Sequence, residues 1–213
     1  MIIEVMPVGP VAANCLLLGC PETRQALIID PGGDPDLILS RLDQHQLTIQ
    51  GLLLTHAHFD HLLAIGDLKA KRGGTIMMHE GDRPLYENIT VQGQLYGFEV
   101  PPLPPIDRYV QDGEIVTWGQ HQAKILHTPG HSPGGLCLYV KSENLLVTGD
   151  TLFAGSIGRT DLWGGSYDLL MTSIRSQLLP LPDATRVIPG HGDSTTLGEE
   201  RRSNPFLMES KRP

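Results

Sequence analysis

Thr55-His56-Ala57-His58-Phe59-Asp60-His61 follows directly on the apolar run Gly51-Leu52-Leu53-Leu54. Four side chains able to bind a metal, His56, His58, Asp60 and His61, fall within six residues. Imidazole nitrogen and carboxylate oxygen are ligands that Zn, Fe and Mn accept at neutral pH. A strand sends alternate side chains to one face, so His56 and His58 point together if strand geometry continues into the loop. Asp60 and His61 then stand at the turn into a helix expected from Leu62. One short segment is thereby able to serve two adjacent metals.

The same context recurs downstream. Ala123 to His127 is expected to be a strand and is followed by Thr128-Pro129-Gly130-His131-Ser132-Pro133-Gly134. Leu145 to Gly149 leads to Asp150, and Thr185 to Gly190 leads to His191. In each case a β-prone run stops at a Gly or Pro-Gly turn and then presents a His or Asp. Turn glycines let the backbone bend sharply, and loops at strand ends are common places for function. Seven candidate ligands result: His56, His58, Asp60, His61, His131, Asp150 and His191. A closed structural zinc site takes about four ligands and usually recruits Cys. Seven without a Cys suit two metals sharing one carboxylate, with room left for water.

The chain resembles the metallo-β-lactamase superfold on this H-x-H-x-D-H run and on the order of the later His, Asp and His. Within the superfold it is most similar to the short bacterial glyoxalase II-like (hydroxyacylglutathione hydrolase) branch. Ile28-Ile29-Asp30-Pro31-Gly32-Gly33, Gly149 to Gly155, Gly158-Arg159-Thr160-Asp161 and Ile188 to Gly192 carry that likeness.

The resemblance implies one metal at His56, His58 and His131, a second at Asp60, His61 and His191, and Asp150 bridging them. It implies two divalent ions, Zn foremost, with Fe or Mn as alternatives. Asp60 and Asp150 would be the catalytic carboxylates, serving a metal-held hydroxide that attacks S-D-lactoylglutathione or a related small-molecule thioester. Arg159 falls where those enzymes carry a cation for a glutathione carboxylate, and Asp161 where they carry a tyrosine. Asp30 ends a strand; it would either orient a ligand from behind, as carboxylates near metals often do, or simply initiate the Pro31-Gly32 turn.

Composition narrows the alternatives. A length of 213 residues suits one domain spanning 1–213, without the further C-terminal helical domain of full-length glyoxalase II enzymes. A formal charge of −8 carries no electrostatic footprint for nucleic acid. Cys15, Cys20 and Cys137 are odd in number and scattered, which points to reduced thiols and a cytoplasmic protein. The N-terminus has no basic and apolar leader pattern, and no apolar run reaches the roughly 18 residues of a membrane span. Two strand-rich halves, each with helices, predict two sheets packed face to face with helices outside. The resemblance implies the same α/β architecture, an αββα four-layer sandwich of two mixed sheets. Helices are expected at Pro35–Gln46 with Asp34 as cap, at 62–72, at 167–179, and after the Thr196-Leu197-Gly198-Glu199 capping box. Residues 80–111 read as the least regular part. His45 and His121 are expected to be exposed, and His127 to pack beside the site. His79 is expected near the cleft.

Two other functions fit the motif. One is a persulfide dioxygenase with a mononuclear Fe; the other, of a different class, is a non-catalytic binding module that uses metal structurally.

Overall fold

The computed structural model describes residues 1–208. Strand β1 (Ile2–Val8) turns into β2 (Ala13–Gly19), all seven residues of which are buried. β3 (Gln25–Ile29), α1 (Pro35–Gln44), β4 (Thr48–Leu53), α2 (Ile65–Arg72) and β5 (Thr75–Met78) then alternate as strand and helix. After α3 (Arg83–Glu87) and α4 (Ile89–Leu95), β6 (Arg108–Tyr109) completes a six-stranded sheet in the order β1-β2-β3-β4-β5-β6. Its first three strands are antiparallel and the rest run parallel.

A second sheet follows: β7 (Ile115–Trp118), β8 (His121–His127), β9 (Leu136–Val140) and β10 (Leu145–Gly149). The hairpin of β11 (Leu152–Phe153) and β12 (Ser156–Ile157) precedes α5 (Tyr167–Ser173). β13 (Arg186–Pro189), β14 (Thr195–Thr196), α6 (Leu197–Ser203) and α7 (Pro205–Met208) end the described chain. The order is β14-β13-β10-β9-β8-β7, with β10 and β13 parallel and the other pairs antiparallel.

Side-chain alternation builds the layers. Leu16 and Leu18 of β2 face inward, where they join Leu27, Leu53, Trp118 and Ile125 in the core between the sheets. Leu17, one step out of phase, packs with Ile28 and Leu52 against Ile38 and Leu42 of α1 and Leu68 of α2. On the far side, Leu126, Cys137, Leu146 and Val187 meet Leu170 of α5, Ile174 and Leu197 of α6. Three apolar layers thus separate four layers of structure, the αββα sandwich of two mixed sheets.

Several local expectations need correction. Asp34 sits at the N-cap of α1 in a left-handed conformation and caps it through its carbonyl alone; its carboxylate instead accepts from the Gly9 N–H (2.8 Å). α2 begins at Ile65, because residues 59–61 wind as a tight 3₁₀ turn that sets Asp60 and His61. The 80–111 segment is more ordered than its composition suggests and contains α3 and α4. The 167–179 helix widens into a π turn over Ile174–Leu178. Thr196 caps α6 through the Glu199 N–H, but the Glu199 carboxylate pairs with Arg202 instead of returning the bond. His45 and His121 are half-buried rather than exposed; His45 pairs with Glu4.

Leu27 is 1% exposed between the sheets, whereas Leu37 on α1 is 37% exposed. Leu27→Ala should cost about 2–5 kcal/mol in urea unfolding, from lost burial and the cavity left behind. Leu37→Ala should stay within about 0.5 kcal/mol. Equal costs would contradict the assigned inner face of β3.

Candidate metal centre

All seven candidate ligands arrive at the C-terminal ends of strands. β4 delivers Thr55 and the His56–His61 run, β8 leads through Thr128-Pro129-Gly130 to His131, β10 to Asp150, and β13 to His191. The two sheets are tied together there. Leu136 N–H donates to Thr55 O (2.7 Å) and Asn14 N–H to Gly190 O (2.7 Å). Gly190 is required by the close approach of chains: a Cβ there would meet Asp150 Oδ1 at 2.1 Å.

The seven side chains form two adjoining groups. Ligand atoms of His56, His58 and His131 lie within 4.8 Å of one another, as do those of Asp60, His61 and His191. His58 Nδ1 faces His131 Nε2 at 2.9 Å, and His61 Nε2 faces His191 Nε2 at 3.2 Å. Asp150 stands between the groups, one oxygen 3.6 Å from His61 and the other 3.6 Å from His131. Asp60 reaches His191 at 3.2 Å.

Hydrogen bonding on the outer side of the rings decides which nitrogens face inward with a lone pair. Carbonyls and carboxylates only accept. His131 Nδ1 therefore donates to the Arg159 carbonyl (2.8 Å), and His61 Nδ1 to Asp30 (3.0 Å). Thr55 gives its hydroxyl proton to Asp30 (2.6 Å), so it accepts from His56 Nδ1 (3.1 Å). Asp30, which also takes the Thr55 N–H (2.7 Å), thus orients His61 directly and His56 through Thr55. It adopts a positive φ of 50° and its carbonyl accepts from Gly32 N–H, so the same residue also makes the turn.

The donor set fits metal cations. His56 Nε2 and Asp150 Oδ1 are buried without a hydrogen-bond partner, a costly state for a polar atom unless a cation meets it. Burial, followed by repulsion from neighbouring imidazoles, keeps His56 well below its usual pKa and takes His58 down to about 3, so both rings are neutral. Burial also opposes charge on His61, but Asp150, Asp30 and Asp60 outweigh it and raise its pKa to about 10. The carboxylates that favour a proton at His61 Nε2 favour a metal ion there equally. For Asp60, burial is outweighed by His191 and His61, and its pKa falls to about 2, so it is ionised.

Asp82 and Asn14 belong to this framework beside Thr55 and were not picked out by motif. Buried Asp82 accepts from Ala57 N–H (2.9 Å), Ser132 Oγ (2.8 Å) and Gly134 N–H (2.5 Å), binding the His56–His58 loop to the His131 loop. Asn14 donates to Pro189 O and Gly192 O, both 3.0 Å, around His191. A lone Asn inside an otherwise apolar strand is a readable signal. Asp82 has none, since its partners come from distant loops. His79 stacks on His127 at 3.9 Å and lies outside the cavity.

The centre forms the floor of a cavity of about 620 Å³, where His58, Asp60, His131 and Asp150 are exposed to it. Its walls come from α3, α4 and the 159–163 loop. Arg159 lies at its rim, forked onto Asp161 by two 2.8 Å bonds. Among the described residues another trio of ligand-capable groups, Cys20, Glu22 and His121, gathers at the opposite ends of β2 and β8.

The profile of the metallo-β-lactamase superfamily matches residues 8–191. The chain belongs to that superfamily. It is 42% identical over 214 residues to the hydroxyacylglutathione hydrolase GloC of Haemophilus influenzae, covering 97% of this chain and 98% of that one. Among solved structures it is similar to the B3 metallo-β-lactamase BLEG-1, with a TM-score of 0.89, 37% identity, and 97% and 99% of the two chains covered. It is equally similar to TTHA1623 in a di-iron-bound form, with a TM-score of 0.88, 38% identity, and coverage of 96% and 100%. Within this superfamily fold the strand-end loops bring together His/Asp clusters able to hold metal.

Asp30→Ala removes the acceptor behind two inward-facing imidazoles. It should lower metal affinity about 10- to 100-fold, measured by competition with a chromogenic chelator. Unchanged affinity would remove Asp30 from any orienting role.

Proposed function

We propose that this protein is a metal-dependent thioester hydrolase of the glyoxalase II type, acting on a small-molecule thioester such as S-D-lactoylglutathione. The observation that carries the reading is the pair of His/Asp clusters joined by Asp150 on the floor of an open cavity. His56, His58 and His131 would hold one divalent ion, Asp60, His61 and His191 the second, and Asp150 would contact both. Zn is the first candidate. The likeness to a di-iron-bound structure favours testing Fe beside it.

Divalent ions bound there supply a lowered pKa for water and charge stabilisation for a polarised carbonyl oxygen. The chain's own residues do the rest. Asp60 and Asp150 present carboxylate oxygen to the cavity floor and orient the attacking water. Hydrolysis forms the new C–O bond at the carbonyl carbon and breaks the C–S bond. The thiolate departs and takes up a proton, leaving a carboxylic acid and a thiol. A thiolate is a good leaving group and needs little acid assistance.

A protein nucleophile is poorly supported. Cys15 and Cys137 are buried, and burial pushes both thiols above their usual pKa. Ser132 donates its proton to Asp82. Arg159 is the cation that would receive a carboxylate of the thiol carrier, in competition with Asp161. No helix of the described residues is long and apolar enough to cross a membrane.

Chelation should abolish hydrolysis of S-D-lactoylglutathione, with recovery on adding Zn, Fe or Mn. Full turnover by stably metal-free protein would end the proposal. Running β-lactams and glutathione persulfide with oxygen uptake in the same panel separates hydrolysis of a thioester from the neighbouring chemistries. Asp150→Ala should lose at least about 10²-fold more activity than His79→Ala, because it removes the group between both clusters. Similar losses would show that the ligand assignment is wrong.

Asp161→Asn should free the Arg159 fork and lower KM for carboxylate-bearing glutathione thioesters roughly two- to fivefold, the range of an exposed ion pair. Arg159→Ala should raise that KM with little change in kcat. No response to either change would place the carrier elsewhere.

A further inference from the structure

The cavity beside the metal centre is lined in a way that lactoylglutathione does not explain. Exposed large apolar side chains concentrate there: Val11 is 45% exposed, Val91 54%, Leu95 79%, Tyr96 51% and Trp163 62%. Apolar side chains left open to solvent in one contiguous patch mark a binding surface. Phe59 continues this patch toward the floor, its ring stacked on Tyr96 (5.4 Å between centroids) and on Phe98 (5.3 Å).

Three polar side chains of the walls, Gln92, Asn88 and Arg159, already have partners within the chain. Gln92 donates its side-chain amide to Ala57 O (3.1 Å) and Leu85 O (2.8 Å). Asn88 donates to Pro84 O (2.9 Å). The Arg159 fork is filled by Asp161. Outside the centre itself, these side-chain donors are already occupied when a substrate enters. A tripeptide carrier with two carboxylates, an ammonium group and two amides would lose water there for little in return. A hydrocarbon group would gain from burial against the rings.

We infer that this cavity selects thioesters carrying a bulky apolar group, a medium-chain or aromatic substituent, next to the scissile bond. The inference rests on the thioester reading above and specifies the substrate class of that same site. The apolar group sits on either the acyl or the thiol half, since both flank the carbonyl carbon.

Two arms place the group on each half. kcat/KM is measured with metal-loaded protein for S-acetyl-, S-butanoyl- and S-octanoylglutathione, then for acetyl thioesters of ethanethiol and octanethiol. At least one series should rise about 10- to 100-fold from its shortest to its longest member, in keeping with the gain available per methylene in an apolar pocket. Leu95→Asp and Val91→Asp alter exposed positions, so folding is spared, and each should reduce the long-to-short ratio severalfold. Leu169→Asp, on the exposed face of α5 outside the cavity, should leave that ratio unchanged.

Binding without turnover supplies a second readout. S-octylglutathione, a thioether that cannot be hydrolysed, should blue-shift the fluorescence of solvent-exposed Trp163 and bind at least about tenfold tighter than S-methylglutathione. Thioester turnover with flat or falling chain-length dependence in both series, or equal affinity of the two thioethers, overturns the inference and leaves the hydrolase reading standing. Absence of any thioester turnover refutes that reading, and this inference with it.

Discussion

The carboxylate of Asp30 is the constraint on which the centre depends. It is buried at the end of β3 and takes three protons' worth of hydrogen bonds, from the Thr55 N–H, the Thr55 hydroxyl and His61 Nδ1. Each bond has a consequence one atom further on. The Thr55 hydroxyl, having donated, must accept from His56, and His61 turns its other nitrogen inward. Two imidazoles from one heptapeptide are thereby fixed with Nε2 turned inward. Asp82 does the same for the backbone, holding the amides of Ala57 and Gly134 and the hydroxyl of Ser132 in one grip.

The surrounding fold makes such a grip possible. Two sheets that meet across an apolar layer bring the ends of β4, β8, β10 and β13 to one edge of the sandwich. The strands are rigid because both faces are covered, so the short loops beyond them have little freedom left. Bonds from a strand of one sheet to a loop of the other, Leu136 to Thr55 and Asn14 to Gly190, close the edge. Gly190 permits the last approach, since any side chain would collide with Asp150.

Polar and apolar functions are divided between floor and walls. The floor concentrates lone pairs and carboxylates that call for cations. The walls, from α3, α4 and the 159–163 loop, present aromatic and aliphatic surface, and Gln92 and Asn88 among them bond back to the backbone. Such a division puts the ligand-capable groups on the ends of strands and the apolar surface on short helices and loops that rest on them.

The heptapeptide 55–61 and the three later Gly-to-His or Gly-to-Asp turns were legible in the linear chain, because metal ligands are rare residue types and turn glycines mark where strands stop. The layered order of sheets and helices was legible too, through the two strand-rich halves that each carry helices. Asp82 and the cavity walls were not. The segment 80–111 lacks strong periodicity, and α3 and α4 are five and seven residues long, too short to form without tertiary contacts. Asp30 lay between: its place at a strand end was visible, but a turn-forming Asp and one that holds an imidazole look alike in sequence, and it both makes the turn and bonds His61. Residue types and spacing determined which atoms could bind metal. Only the tertiary structure decided which nitrogen of each ring faces inward and which polar groups remain free, because hydrogen-bond partners from distant segments settle both.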